Sequence, residues 1–263
     1  MAYETIAVTE TNGVATIRLS RAKQMNALSF DMIDELADAL SRIEEKDGVR
    51  SLVITGTGSA FCAGADLKEV LDTVGVPGKR DFLDVIAVLF RRLRNVPMPV
   101  IGGLNGITMA GGLELAMCCD VLIAGESARI GDAHSNFGVF PGAGGAAVLP
   151  ERIGLNNAKY LLFTGDALPA RRLMEMGLVQ EVVADDELAA RLQTFGEKLA
   201  VKSPLVLRRM KSVANQSMEM SQSGALQLEL ETLRNHFRSD DIKEGLAAFA
   251  EKLDAADVEV TET

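Results

Sequence analysis

A chain of 263 residues with 48% hydrophobic and 24% charged residues describes one globular unit with a sizeable core. Its 27 basic against 37 acidic residues give a net charge of −10, a surface that repels a phosphate backbone and excludes nucleic acid as a partner. Cys62, Cys118 and Cys119 are too few and too adjacent for a disulfide framework or a zinc site, so buried reduced thiols and no metal are expected. No apolar run reaches the roughly twenty residues of a membrane span, and the opening "MAYETIAVTETNGVATIRLS" alternates in character rather than reading as a leader. A cytoplasmic protein is expected.

In chain order, "TIAVTE" and "GVATIRLS" flank Asn12-Gly13 and predict a hairpin. Ser29 is an N-cap for the helix "FDMIDELADALSRIEEK", whose Met32, Ile33, Leu36, Leu40 and Ile43 share one face. "SLVITG" reads as a buried strand. The helix "DFLDVIAVLFRRLRN", broken by Pro97 and Pro99, leads to a strand "VIGGL", a short helix "GLELAMCC" and a strand "DVLIAG". Such alternation predicts parallel strands joined by crossovers. Beyond about residue 155, helical stretches surround a single short strand, "LVQEVV". An α/β core therefore carries a helical tail.

Sites in α/β folds sit in loops at strand ends. In "GTGSAFCAGADLKEV" the small residues of "CAGAD" let a ligand approach backbone N–H groups, although small residues serve packing equally well; the loop lacks the Gly-Lys-Ser/Thr ending of a P-loop. In "LNGITMAGGLELAMCCD", Gly111 and Gly112 open a helix whose free N–H groups suit a developing oxyanion. Glu114 can complement that helix dipole, but its apolar neighbours predict burial, where an idle carboxylate is costly. In "ARIGDAHSNFGVFPGAGG", His134 taken alone reads as a structural histidine. His236, in the polar "LRNHFRSDD", reads as solvated or capping. Cys62 has no adjacent base to make it a nucleophile.

Taken together, "AFCAGADLKEV", "MAGGLELAMCCDVLIAGESARIG", "GVFPGAGGAAVLPERIG", "LLFTGDALPARRLMEMGLVQEVV" and "DDIKEGLAAFAEK" resemble, in order and spacing, the crotonase superfamily, also called the enoyl-CoA hydratase/isomerase family. The resemblance covers nearly the whole chain. It implies an α/β fold, a crotonase-like spiral of ββα units over residues 1–200, followed by a C-terminal helical trimerisation region over 201–263, assembled as a homotrimer or homohexamer. It also implies an acyl-CoA thioester substrate and no cofactor beyond the coenzyme A of that substrate. The oxyanion-hole amides map onto Ala65 and Gly111. Lys23 and Met25 would border the CoA, Ala63, Asp66 and Leu67 would contact its adenine and pantetheine portions, and Phe249 and Lys252 would reach it from the C-terminal end. Residues 72–80 and the helix after them would border the acyl pocket.

Hydratases of this family hold a water between two glutamates. The first maps onto Glu114, whereas the second maps onto His134. The leading expectation is hydration of a 2-enoyl-CoA with Glu114 and His134 as an altered acid/base pair. A second is C–C bond hydrolysis of a β-keto acyl-CoA or cyclic diketone, as in a ring-cleaving family member with a histidine here. In that reading His134 activates water and Asp132, on the same side of an extended chain, orients its ring; that enzyme's other polar groups map onto Gly112 and Ala143. A third is isomerisation by Glu114 alone. A non-catalytic CoA-ester-binding protein is the fourth.

Overall fold

The computed structural model describes residues 3–243 and Leu246. These residues form two compact units, divided between Val201 and Lys202. In the first, β1 (Ile6–Thr11) and β2 (Val14–Leu19) make the expected antiparallel hairpin, with Thr11 opposite Val14 across Asn12-Gly13. A short 3₁₀ turn, Ala22–Gln24, precedes α1 (Phe30–Glu44). The Ser29 hydroxyl accepts from the Met32 N–H at 3.3 Å, and Met32, Ile33, Leu36, Ala39, Leu40 and Ile43 are buried. The chain continues through β3 (Ser51–Gly56), β4 (Ala60–Cys62), α2 (Leu67–Thr73), α3 (Phe82–Arg94), β5 (Val100–Leu104), β6 (Ile107–Met109), α4 (Gly111–Ala116), β7 (Val121–Gly125) and β8 (Arg129–Gly131). After a 3₁₀ turn at His134–Phe137 come α5 (Leu149–Ile153), α6 (Leu155–Thr164), β9 (Leu168–Pro169), α7 (Ala170–Glu175), β10 (Glu181–Val183) and α8 (Leu188–Ala200).

The larger sheet has the order β1-β2-β3-β5-β7-β10 and is parallel from β2 onward. Its central strands β3, β5 and β7 are covered on both faces, which is why they read as near-unbroken apolar runs. Leu52, Ile54, Val100, Leu122 and Ala124 belong to the main core, while Val53, Ile101 and Ile123 alternate with them to pack on Leu188 and Leu192 of α8.

A smaller sheet, β4-β6-β8-β9, has β4, β6 and β8 parallel and β9 antiparallel to β8. The sequence reading missed it, because its strands "AFC", "ITM" and "RIG" are too short to show a period. Each follows a strand of the larger sheet, so the chain winds in repeated ββα turns. This smaller sheet sets up the site: its three adjacent parallel strands deliver residues 63–66, 110–114 and 132–134 at their C-terminal ends, where an open α/β sheet presents its ligands.

In the second unit, α9 (Pro204–Ser217) is capped by Ser203, whose hydroxyl accepts from the Val206 N–H. It packs against α10 (Gln222–His236). None of their side chains is buried, and several apolar ones are exposed, with Met210 63% and Leu226 59% accessible. His236, read from sequence as solvated or capping, sits in the last turn of α10 beside Arg209, with 2.7 Å between its Nδ1 and the guanidinium Nη1.

Candidate active site

The turn at residues 25–28 straps down the first loop. Buried Asn26 donates from Nδ2 to the carbonyls of Thr57 and Ala60. The Ala63 N–H reaches the Met25 carbonyl, the Leu28 N–H reaches Gly64, and the Asp66 N–H reaches Leu28. Residues 28 and 65 thus form a parallel bridge that engages the carbonyl of Gly64 and the N–H of Asp66. In such a bridge the N–H of Ala65 itself points away, and it has no acceptor among the described residues.

Across from it, Ala110 holds φ at +50°, unusual for a residue with a Cβ, and turns the chain from β6 into α4. The Gly111 N–H is the first of that helix and so has no carbonyl within the helix to bind. A Cβ on Gly111 would lie 3.2 Å from the Ala65 nitrogen, so its absence keeps the two amides side by side. Gly112 is required for packing: a Cβ there would stand 1.9 Å from the Cys62 carbonyl oxygen, backbone that cannot rotate away. Gly112→Ala is therefore expected to lower the unfolding free energy by about 2 kcal/mol or more, read as a depressed midpoint in denaturant unfolding.

Glu114 is 3% exposed, and its Oε1 accepts from the Ala143 N–H at 2.8 Å and the Gly145 N–H at 2.9 Å. Burial pushes its pKa above the usual carboxylate value; the two amides and His134 pull it back only in part, while Asp132 adds to the rise. Sequence reasoning missed these amide anchors, because backbone donors leave no residue-type signal beyond the glycine-rich "PGAGG". It also missed Arg94, which holds the same loop by donating to the Ala143 carbonyl at 3.1 Å.

Asp132 and His134 meet, though not through the expected extended backbone. Ala133 is left-handed at φ 61°, and Asp132 Oδ1 accepts the His134 N–H at 3.2 Å and lies 2.9 Å from the ring Nδ1. This is the local turn that aspartate side chains favour. Asp132 is 1% exposed, and its Oδ2 has no partner among the described residues. Burial alone would lower the His134 pKa, but the hydrogen bond and charge of Asp132, with the charge of Glu114, hold it above the ordinary histidine value.

Ala65, Gly111, Glu114 and His134 border one cavity of about 440 Å³, with Asp132 behind His134 and outside its lining. Of the residues singled out in the sequence, Met25, Ala63, Ala65, Leu67, Gly111, Glu114, His134 and Ala143 line it, and Gly112 does not. Lys23 is exposed in the turn beside it and Asp66 pairs with Arg21 at 3.1 Å; neither lines the cavity. Phe249 and Lys252 lie outside the described residues. The segment 72–80 does not border the cavity, whereas the helix after it does as expected, through Phe82, Leu83 and Ile86 of α3, joined by Val70 of α2. Glu114 and His134 are the only ionisable side chains among the described lining residues. All three cysteines are buried, and burial pushes the Cys62 thiol up to about 12, which removes it as a nucleophile at neutral pH. Among the described residues no cluster of side chains is suited to a metal ion, and no helix is long and apolar enough to cross a membrane.

Residues 9–257 match the sequence model of the enoyl-CoA hydratase/isomerase family. The chain is 35% identical to a crotonyl-CoA hydratase of Syntrophomonas wolfei, over 96% of this chain and 97% of that one. It is 33% identical to a short-chain-enoyl-CoA hydratase of Clostridium acetobutylicum, over 91% and 92% of the two chains. Among solved structures, an enoyl-CoA hydratase from Bacillus anthracis superimposes with a TM-score of 0.88 at 35% identity, covering 95% of this chain and 97% of that one.

Proposed function

The chain belongs to the enoyl-CoA hydratase/isomerase family, and on that premise we propose that it adds water across the double bond of a short 2-enoyl-CoA thioester, with Glu114 and His134 as the acid/base pair. The thioester oxygen lies between the N–H groups of Ala65 and Gly111. His134 Nε2 takes a proton from water as its oxygen bonds to the β-carbon. The π electrons move onto the thioester as an enolate, which the two amides stabilise by several kcal/mol in a site with few polar groups. Glu114 then gives its proton to the α-carbon and the carbonyl re-forms. The proton on His134 returns to Glu114 through solvent, closing the cycle with one water consumed.

The observation that carries this reading is the convergence of Glu114, His134 and two unengaged amides on one cavity whose remaining lining is apolar apart from Asn136. Burial favours the protonated Glu114 that an acid must be. The reaction draws on no cofactor beyond the coenzyme A of the substrate, with Met25, Ala63 and Leu67 along the CoA arm and Lys23 and Asp66 at its outer rim. The exposed apolar side chains of α9 and α10 support residues 201–263 as the region that assembles a trimer or hexamer in the cytoplasm.

C–C bond hydrolysis is the second reading, favoured by the Asp132–His134 contact. Against it, a polar side chain at position 112 has no room beside the Cys62 carbonyl. Crotonyl-CoA separates the two. Loss of the enone-thioester absorbance with a product heavier by one water supports hydration, whereas inertness with cleavage of a cyclic β-keto acyl-CoA overturns it.

A further inference from the structure

We propose that Asp132 is a positioning residue for His134: it fixes the tautomer with the proton on Nδ1, bares Nε2 toward the substrate, and balances the imidazolium that forms when Nε2 takes a proton from water. The inference rests on the hydration reading above and adds a third residue to its chemistry.

The geometry leaves little choice of tautomer. An ionised carboxylate only accepts hydrogen bonds, so the 2.9 Å contact from Asp132 Oδ1 requires the hydrogen on Nδ1. The same oxygen receives the His134 backbone N–H at 3.2 Å, which sets the ring and the main chain against one buried atom. His134 Nε2 has no partner among the described residues, and the side chain lines the cavity with 12% of its surface accessible.

The charge argument is independent of the tautomer. Asp132 is buried and is paired only with His134 among the described residues. A buried carboxylate with one neutral partner is poorly compensated. Protonating His134 turns that partner into a cation, so the proton drawn from water arrives where a counter-charge already stands. Glu114 is the other ionisable group acting on His134, and a point beside Gly145 lies 2.7 Å from Asp132 Oδ2 and 3.4 Å from Glu114 Oε1. Asp132 therefore raises the proton affinity of both members of the pair.

Two measurements test this. Because the chain has two histidines, a His236→Gln protein labelled with ¹⁵N-histidine gives the His134 ring alone. Its ¹⁵N–¹H long-range spectrum is expected to show neutral His134 with the proton on Nδ1; a proton on Nε2 overturns the proposal, whatever the enzyme turns over. Asp132→Asn is expected to lower kcat for crotonyl-CoA by about a hundredfold, with KM within about threefold and the pH–rate bell moved toward acid. An unchanged bell, or a loss confined to KM, assigns Asp132 a packing role and overturns it. Should Asp132→Asn fail to fold, the His134 ring spectrum of the His236→Gln protein decides alone.

Discussion

Glu114→Gln is expected to lower kcat for crotonyl-CoA by about a thousandfold or more while leaving KM within a few-fold of wild type. Glutamine keeps an oxygen for the Ala143 and Gly145 amides, so the loop at 141–145 stays in place and the cavity keeps its shape. It has no proton to give the α-carbon. A thousandfold loss corresponds to about 4 kcal/mol of transition-state free energy, within what one positioned acid supplies. Steady-state kinetics beside the thermal midpoint check the effect; turnover near wild type would remove Glu114 as the donor and with it the proposed pair.

His134→Ala is expected to cost about a hundredfold or more in kcat. This variant also strips Asp132 of its ring partner, so His134→Asn, which can still donate to a carboxylate but offers no base at neutral pH, is the better companion. The two should fall together in kcat and separate in stability. The His134 pKa is raised in the folded state, so the stabilisation it contributes is fully present below the unfolded value of about 6.5 and is lost as pH rises through the folded value. Wild type should therefore outlast His134→Asn by most under mildly acidic conditions, with the gap narrowing toward alkaline pH. A change in KM alone would make His134 a wall of the pocket.

The rate itself should trace a bell in pH. Hydration needs one proton shared between Glu114 and His134; a second proton quenches the base and loss of the last one removes the acid. Both pKa values lie above their ordinary positions, so the bell sits to the alkaline side of one drawn from free glutamate and histidine.

Elements of five or more residues with a clear period or turn signal were legible in the sequence: the hairpin around Asn12-Gly13, the Ser29-capped α1, and β3, β5 and β7 of the larger sheet. The three-residue strands β4, β6 and β8 were not, although they align the motifs of the site. Glu114 stood out because a carboxylate in an apolar helix turn has a cost that needs an explanation. His134 did not stand out alone and gained meaning from the motifs around it. The Asp132–His134 contact was anticipated from the wrong geometry, since a side-chain-to-backbone bond turned the chain left-handed at Ala133 where an extended run had been expected. The amides of Ala143 and Gly145 could not be read at all, because every non-proline residue carries the same donor and only the fold selects which ones converge.

Turnover of crotonyl-CoA in ²H₂O, followed by mass and NMR analysis of the product, tests the central claim most directly. Addition of water by the Glu114–His134 pair predicts a 3-hydroxyacyl-CoA carrying a single deuterium on the α-carbon, formed by wild type and suppressed in Glu114→Gln. Deuterium entering the acyl chain with no hydroxyl gained would mean that the site moves protons without adding water, and would contradict it.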